Sequence, residues 1–483
     1  MNLALRGGMS EVRRTVITWA LKSLGAVGTA SIVLGAFIAC SRDGGPEGGD
    51  LESAGGAGEL RAETAPKPPK FESIGLRCKL INDRNLDDPT PNRTHSRANL
   101  RGTDLGIPVA HGGDLYFFFG DTAGVRAIWP LGPESLPDSV AVASYAAVKD
   151  DPNTLCENLR FLGGAPETSL GHAQDPLIER DFAPGWMIPP AGQDIGKYVH
   201  NPAGPRGANA FPNMPGDFEV PSGVFSYGGS LYVFYTTVVS PHVVEMKGSY
   251  LARWASPSPT GVPVYDILYG IDERFDADGP LRGDFINIAP LVVGEYLYAY
   301  GTGEYRKSPV HLARKRLSTL ATEGGFERFD AKTRTWRPAN DATSEPVVKS
   351  PGAGEISVRY FASINRFVML DQEFNGTQNL IVARFATRPE GPWTDGTPIA
   401  SLSRPAFTSK YCCINNDCSG QRLMNCDRAG YYGAYMLPDV QKNASGKFTL
   451  DFLLSTWDPY NVALMSATFS EAVAVPPHEP HER

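Results

Sequence analysis

His111 to Gly124 reads HGGDLYFFFGDTAG. Five apolar or aromatic residues, Leu115 to Phe119, follow a Gly-Gly turn and stop abruptly at Gly120-Asp121-Thr122. A strand of that kind needs cover on both faces, because successive side chains point to opposite sides of the sheet. It then delivers a carboxylate at its tip. Four later segments share the form: SYGGSLYVFYTT from Ser226, VVGEYLYAYGTG from Val292, SINRFVMLDQEF from Ser363 and ASGKFTLDFLLSTW from Ala444. Partner strands with a small central residue follow several of them, and three contain an Ala-Arg step: Leu251-Ala252-Arg253, Leu312-Ala313-Arg314 and Val382-Ala383-Arg384.

Five such units, spaced about 65 to about 115 residues apart, predict an all-β, five-bladed β-propeller with long inserted loops. The repeated strand is expected to be the inner strand of each blade, sealed by neighbours on both faces. A two-sheet sandwich would instead give alternating strands. No segment after the N-terminus has a long helical period, so helices are expected to be short and confined to loops. The 51 Gly and 40 Pro among 483 residues suit many short strands and turns. A net charge of -8 argues against a nucleic-acid surface.

The N-terminus reads as a targeting segment. Arg6, Arg13, Arg14 and Lys22 precede an apolar stretch running into Phe37-Ile38-Ala39-Cys40, which resembles a bacterial lipobox. Residues 1–39 are therefore expected to be a signal peptide of lipoprotein type and Cys40 the lipidated residue. Residues 40–70, rich in Gly, Glu and Pro, are expected to form a disordered tether. Residues 71–472 are expected to form the propeller and 473–483 a disordered tail. The protein is then exported and lipid-anchored to a membrane, or secreted, as a monomer.

Six cysteines remain: Cys78, Cys156, Cys412, Cys413, Cys418 and Cys426. An even number in an exported chain points to disulfides of open connectivity. The cluster YCCINNDCSGQRLMNC could alternatively hold zinc, although its spacing is irregular and lacks paired CxxC knuckles.

Four lone acids lie at the ends of hydrophobic segments: Asp104 in RGTDLGIPVA, Asp121 in FFFGDT, Glu219 in GDFEVPSG and Glu355 in PGAGEISVRYF. Paired carboxylates are the usual equipment for cleaving glycosidic bonds. Arg359, Tyr360, Trp457 and Tyr460 are candidate substrate-binding residues, since sugar rings stack on aromatic faces and arginine binds hydroxyls. Each acid also has a plain structural reading. Asp104 and Asp121 could cap turns, Glu219 could be a solvated loop acid, and Glu355 could pair with Arg359 four residues along one strand face. Asp371 and Asp458 read as turn formers. No GxSxG elbow, HExxH, P-loop or dinucleotide fingerprint occurs. No cofactor is implied, no metal is assigned, and no oxygen-ligand loop announces calcium.

The ordered segments GTDLG and FFFGDT, EVPSGVFSYGGSLYVFYT, GEISVRYFASINRFVML, YGAYMLPDVQ and LLSTWDPYNVALM resemble the domain of unknown function 4185 over roughly Phe71 to Ser470. Members of that group have been recognised as endo-D-arabinanases, glycoside hydrolases that cut the D-arabinan of mycobacterial cell walls. The resemblance implies a five-bladed propeller, a polysaccharide substrate, Asp104 or Asp121 as base or nucleophile, and Glu219 or Glu355 as acid. The Cys412 to Cys426 loop departs from the family pattern and bears on the substrate. A non-catalytic propeller lipoprotein that binds glycan or a surface partner is the alternative.

Overall fold

The computed structural model describes residues 64–81, 92–94, 100–124, 138–162, 218–239, 245–260, 263, 265–274, 276, 278–374 and 378–471. The chain divides into Met1–Leu60 and Arg61–Arg483, and everything below concerns the second unit. The proposed signal peptide, Cys40 and the tail from 473 lie outside the described residues.

The fold is an all-β, five-bladed β-propeller. Blade 1 comprises Leu105–His111, Asp114–Phe119, Ser139–Ser144 and Arg160–Phe161, from the axis outward. Blade 2 comprises Phe218–Tyr227, Ser230–Val239, Glu245–Trp254 and Asp266–Glu273. Blade 3 is Asn287–Val293, Tyr296–Thr302 and Ser308–Arg316, extended by Glu327–Asp330 and Thr335–Pro338. Blade 4 comprises Val348–Phe361, Arg366–Phe374, Asn379–Ala386 and Thr397–Ser401. Blade 5 uses Tyr431–Lys442, Lys447–Thr456 and Asn461–Ser470. Its outermost strand is the N-terminal Lys70–Lys79, paired antiparallel to Asn461–Ser470. Each inner strand packs against those of both neighbouring blades, the fifth against the first. The chain's first strand thus completes its last blade and locks the ring.

The run Leu115–Phe119 shows why these strands are continuously apolar. Leu115, Phe117 and Phe119 pack with Leu453, Val462 and Leu464 of blade 5. Tyr116 and Phe118, on the opposite face, pack with Leu231, Val233 and Trp254 of blade 2. Both faces are covered, as expected. The expected position in the blade is corrected: this segment and its four counterparts are second strands, not inner ones. The inner strand precedes each of them through a tight turn. In the first two blades that turn is Gly112-Gly113 and Gly228-Gly229, all four with φ between 56° and 91°, a region where a Cβ is penalised. The Ala-Arg steps lie on third strands. Ala252, Ala313 and Ala383 are fully buried, while Arg253, Arg314 and Arg384 pair with Asp266, Glu327 and Asp371.

Helices are short, as expected: Tyr145–Asp150, Leu155–Asn158 and Pro405–Tyr411 among the described residues. The six cysteines form Cys78–Cys156, Cys412–Cys426 and Cys413–Cys418, so the zinc alternative is replaced by disulfides. Cys78–Cys156 joins the closing strand to the helix Leu155–Asn158, between the third and fourth strands of blade 1. It therefore cross-links the ring at its seam. Replacing both Cys78 and Cys156 by Ala is expected to lower unfolding stability by about 2–4 kcal/mol, measured by urea denaturation against the wild type.

Candidate active site

All five inner strands start at one end of the ring, and all five second strands run back to it. The residues that end or follow those second strands, Asp121, Val238, Tyr305, Phe374 and Trp457, line one cleft of about 850 Å³. Asp104, at the start of the first inner strand, and Glu355, within the fourth, line it as well. A smaller cavity of about 350 Å³ lies among the later residues of the inner strands, including Arg359, Tyr360 and Pro438.

The GDT tip now has a residue-by-residue explanation. A Cβ on Gly120 would lie 2.5 Å from Asp104 Oδ1, so glycine leaves room for the Asp104 carboxyl. Thr122 is buried, and its hydroxyl donates to Gly120 O at 2.8 Å. It also meets the hydroxyls of Thr103 at 2.9 Å and Ser139 at 2.6 Å. That buried hydroxyl chain fixes the turn which presents Asp121 to the cleft.

Asp104 sits where the backbone turns sharply into Leu105, whose φ of 62° is left-handed. The Leu105 N–H donates to Ser455 Oγ at 2.7 Å, a bond from blade 1 to blade 5 that holds the bend. Tyr432 donates its hydroxyl to Asp104 Oδ2 at 2.8 Å, and the Tyr460 hydroxyl is directed at the same carboxyl. Burial pushes Asp104 up to about 7; the two tyrosines oppose the shift and the nearby Glu355 charge adds to it.

Glu355 is buried. Arg306 Nη2 donates to its carboxylate oxygens at 3.2 and 3.5 Å, and the Tyr305 hydroxyl donates at 3.4 Å. The Arg306 guanidinium lies over the rings of Tyr305 and Tyr432, 4.5 and 5.5 Å from their centroids. Glu355 thus pairs with Arg306 rather than with Arg359.

The structure brings Asp104, Asp121, Glu355, Trp457 and Tyr460 to one cleft. Glu219, on the inner strand of blade 2, is buried and does not line it; it acts electrostatically on Asp138 and Tyr235. Arg359 and Tyr360 do not join the group. Arg359 donates to Met436 O at 2.8 Å and to Pro108 O, clasping three inner strands together. Tyr360 is exposed and bonds Asn365. Asp371 is no turn former: it lies inside the second strand of blade 4, fully buried and paired with Arg384. Asp458 does sit in a turn, paired with Arg428.

Sequence reasoning missed Arg306, Tyr305 and Asp138. Burial, then the charges of Glu219, Asp121 and Asp104, push the Asp138 carboxyl well above the usual range. Asp138 opens the segment DSVAVAS, so the signal applied to the other acids, a lone acid bounding an apolar strand, was present there too. Arg306 gave no such signal, because it lies in a turn 49 residues from Glu355.

The sequence profile described as a domain of unknown function (DUF4185) matches residues 217–466, just over half of the chain. The chain belongs to that family. The matched span covers blades 2 to 4 and most of blade 5, and starts beyond Asp104 and Asp121. No curated protein matches the sequence. Three solved structures are similar in outline. A Bacteroides ovatus protein described as a candidate hydrolase is 15% identical, with TM-score 0.47, covering 77% of this chain and 87% of that one. A Podospora anserina α-L-arabinofuranosidase solved with cellotriose is 9% identical, with TM-score 0.40 and coverages of 84% and 98%. A Cellvibrio cellulosa α-L-arabinanase solved with arabinohexaose is 10% identical, with TM-score 0.37 and coverages of 75% and 91%. At these levels the likenesses add nothing to a fold already traced strand by strand.

Two outcomes test the site's electrostatics and its hydroxyl chain. Asp104 keeps its proton in the folded state above pH 3.8 and releases it at about 7. The unfolded chain releases it earlier, so this group's contribution to stability falls as pH rises across that window. Asp104→Asn removes the penalty, and its melting-temperature gain over wild type is expected to grow from about pH 4 to about pH 8. Thr122→Val leaves the Thr103 and Ser139 hydroxyls short of a partner and is expected to cost about 1–3 kcal/mol in urea denaturation.

Proposed function

We propose that this DUF4185 protein is an exported glycoside hydrolase, endo-acting on D-arabinan or a related furanose-containing glycan. One observation carries the reading: the Asp104 and Glu355 carboxyls, from blades 1 and 4, line a single cleft, Asp104 pushed up to about 7 by burial and Glu355 held by the Arg306 guanidinium. Cleaving a glycosidic bond needs that division of labour. Asp104 donates its proton to the departing glycosidic oxygen. The Glu355 carboxylate attacks the anomeric carbon or takes a proton from the water that does so. Tyr432 and Tyr460 orient Asp104, Arg306 and Tyr305 orient Glu355, and Asp121 supplies a further carboxylate at the cleft wall. These electrostatics reverse the assignment expected from the family resemblance, in which the Asp is base and the Glu is acid. The substrate class comes from that resemblance; the exposed Trp457 indole, at 48% relative exposure, supports sugar stacking. Export and lipid anchoring at Cys40 are part of the same proposal, supported by the basic and apolar N-terminal pattern and by three disulfides.

The test is release of oligosaccharides from D-arabinan by the wild type and by Asp104→Asn, Asp121→Asn, Glu219→Gln and Glu355→Gln. Asp104→Asn and Glu355→Gln are each expected to lower the rate about a thousandfold. The wild-type rate is expected to decline above about pH 7 as Asp104 loses its proton. A wild type that releases nothing from any arabinan removes the enzyme reading, and binding without cleavage leaves the glycan-binding alternative.

A further inference from the structure

Between the last strand of blade 4 and the inner strand of blade 5 the chain makes a long excursion. After the helix Pro405–Tyr411 it is irregular as far as Tyr431, with Leu423 and Met424 as its buried apolar residues. So small an apolar anchor does little to order such a length of chain. Two disulfides instead close loops of 14 and 5 residues within it, which restricts the unordered states available to it.

The pinned loop is stitched to the turn that carries Trp457. The Asn425 N–H donates to Asp458 O at 2.8 Å, and the Trp457 N–H donates to Gly430 O at 3.2 Å. Arg428 Nε donates to Asp458 Oδ2 at 2.5 Å. Arg428 Nη2 and Asn425 Nδ2 both donate to Asn416 Oδ1, at 3.3 and 2.7 Å. Loop and turn therefore form one rim, and Cys426 to Gly430 line the same cleft as Asp104 and Glu355.

The order of groups along that rim matters. Tyr460 contacts the Asp104 carboxyl. Trp457 stands edge-on to Tyr460, with ring centroids 5.9 Å apart. Arg428 and Asp458 follow, with side-chain exposures of 61% and 39% despite their pairing. Moving outward from the acid there is thus one aromatic, then an exposed indole, then a guanidinium–carboxylate pair held open to solvent. An indole face takes the apolar face of a sugar ring, while the pair offers both donors and acceptors to hydroxyls. Asp458 balances the charge of Arg428, and the exposed Asp427 beside them adds a negative charge to the same cleft, so the patch suits an uncharged sugar rather than a uronate.

We propose that Trp457, Arg428 and Asp458, preorganised by the Cys412–Cys426 and Cys413–Cys418 loop, form a distal subsite for a neutral sugar unit of the glycan, beyond the bond that is cut. This rests on the glycosidase reading and makes the loop the element that selects for longer chains. Preorganisation by cross-links lowers the ordering cost that a free loop would meet on binding.

The experiment is isothermal titration of the full chain carrying Asp104→Asn, which keeps the glycan intact, with neutral arabinan oligosaccharides of short and long chain. Added to that background, Trp457→Ala, Arg428→Ala and the double Cys412→Ser/Cys426→Ser are each expected to weaken long-chain binding about tenfold, and to weaken short-chain binding by less. Melting temperatures identify a variant that has failed to fold, and Arg428→Gln then stands in for Arg428→Ala. Equal losses on short and long chains, or no loss on either, overturn the subsite while leaving the glycosidase reading intact. Tighter binding of a uronate-containing oligosaccharide overturns its neutral character. A parent protein that binds no glycan overturns both readings.

Discussion

Each blade of this ring is covered on its two faces by its two neighbours, so the structure depends on closing the circle. The closing contact is the pairing of Lys70–Lys79 with Asn461–Ser470 in blade 5. Without it, the blade 5 sheet would present an unpaired edge and the seam against blade 1 would lose its outer wall. The Cys78–Cys156 bond lies at that seam. The same requirement explains the small residues at the centres of the third strands. Ala252, Ala313 and Ala383 are fully buried, where sheets approach closely and a larger side chain would force neighbouring blades apart.

A closed ring sends its polar chemistry to its ends. Sheet faces are spent on packing, so carboxylates gather where strands begin and turns return. Asp104 and Asp121 flank the two strands of one hairpin, and Glu355 comes from a blade on the far side of the sequence. Burial at this end has an electrostatic cost, visible in the rise of Asp104 to about 7, to which the charge of Glu355 adds. Strain at Leu105 and Arg306, both at left-handed φ, is concentrated at the same place. Such conformations persist where the surroundings over-determine them, and functional sites are where they accumulate. The Ser455 bond to Leu105 and the Glu355 bond to Arg306 are the local restraints that hold them.

Much of the fold was legible because burial leaves a pattern in composition. Five uninterrupted apolar runs with polar tips required two-sided cover, repeated five times, and a ring of blades satisfies that requirement. The place of each run within its blade was not legible. Inner and second strands are both apolar, and hydrogen-bond partners alone distinguish them. Site residues divide along the same line. Asp104, Asp121, Glu355, Trp457 and Tyr460 stood out as polar or aromatic groups at strand ends, and strand ends converge. Arg359 and Tyr360 are near Glu355 in sequence but line the smaller cavity instead. A strand rises about 3.3 Å per residue, which carries Tyr360 roughly 16 Å along the axis towards the smaller cavity.

The amino-acid sequence by itself determined the class of fold, the number of blades and the ends at which acids would appear. Uninterrupted apolar runs, turn glycines and tip residues are local properties and are written locally. Tertiary structure alone decided the pairing of Glu355 with Arg306, the protonation of Asp104, the connectivity of the six cysteines and the joining of the disulfide loop to Trp457. Each of these depends on which distant segments meet and on how much water their meeting excludes, quantities that exist only once the ring has closed.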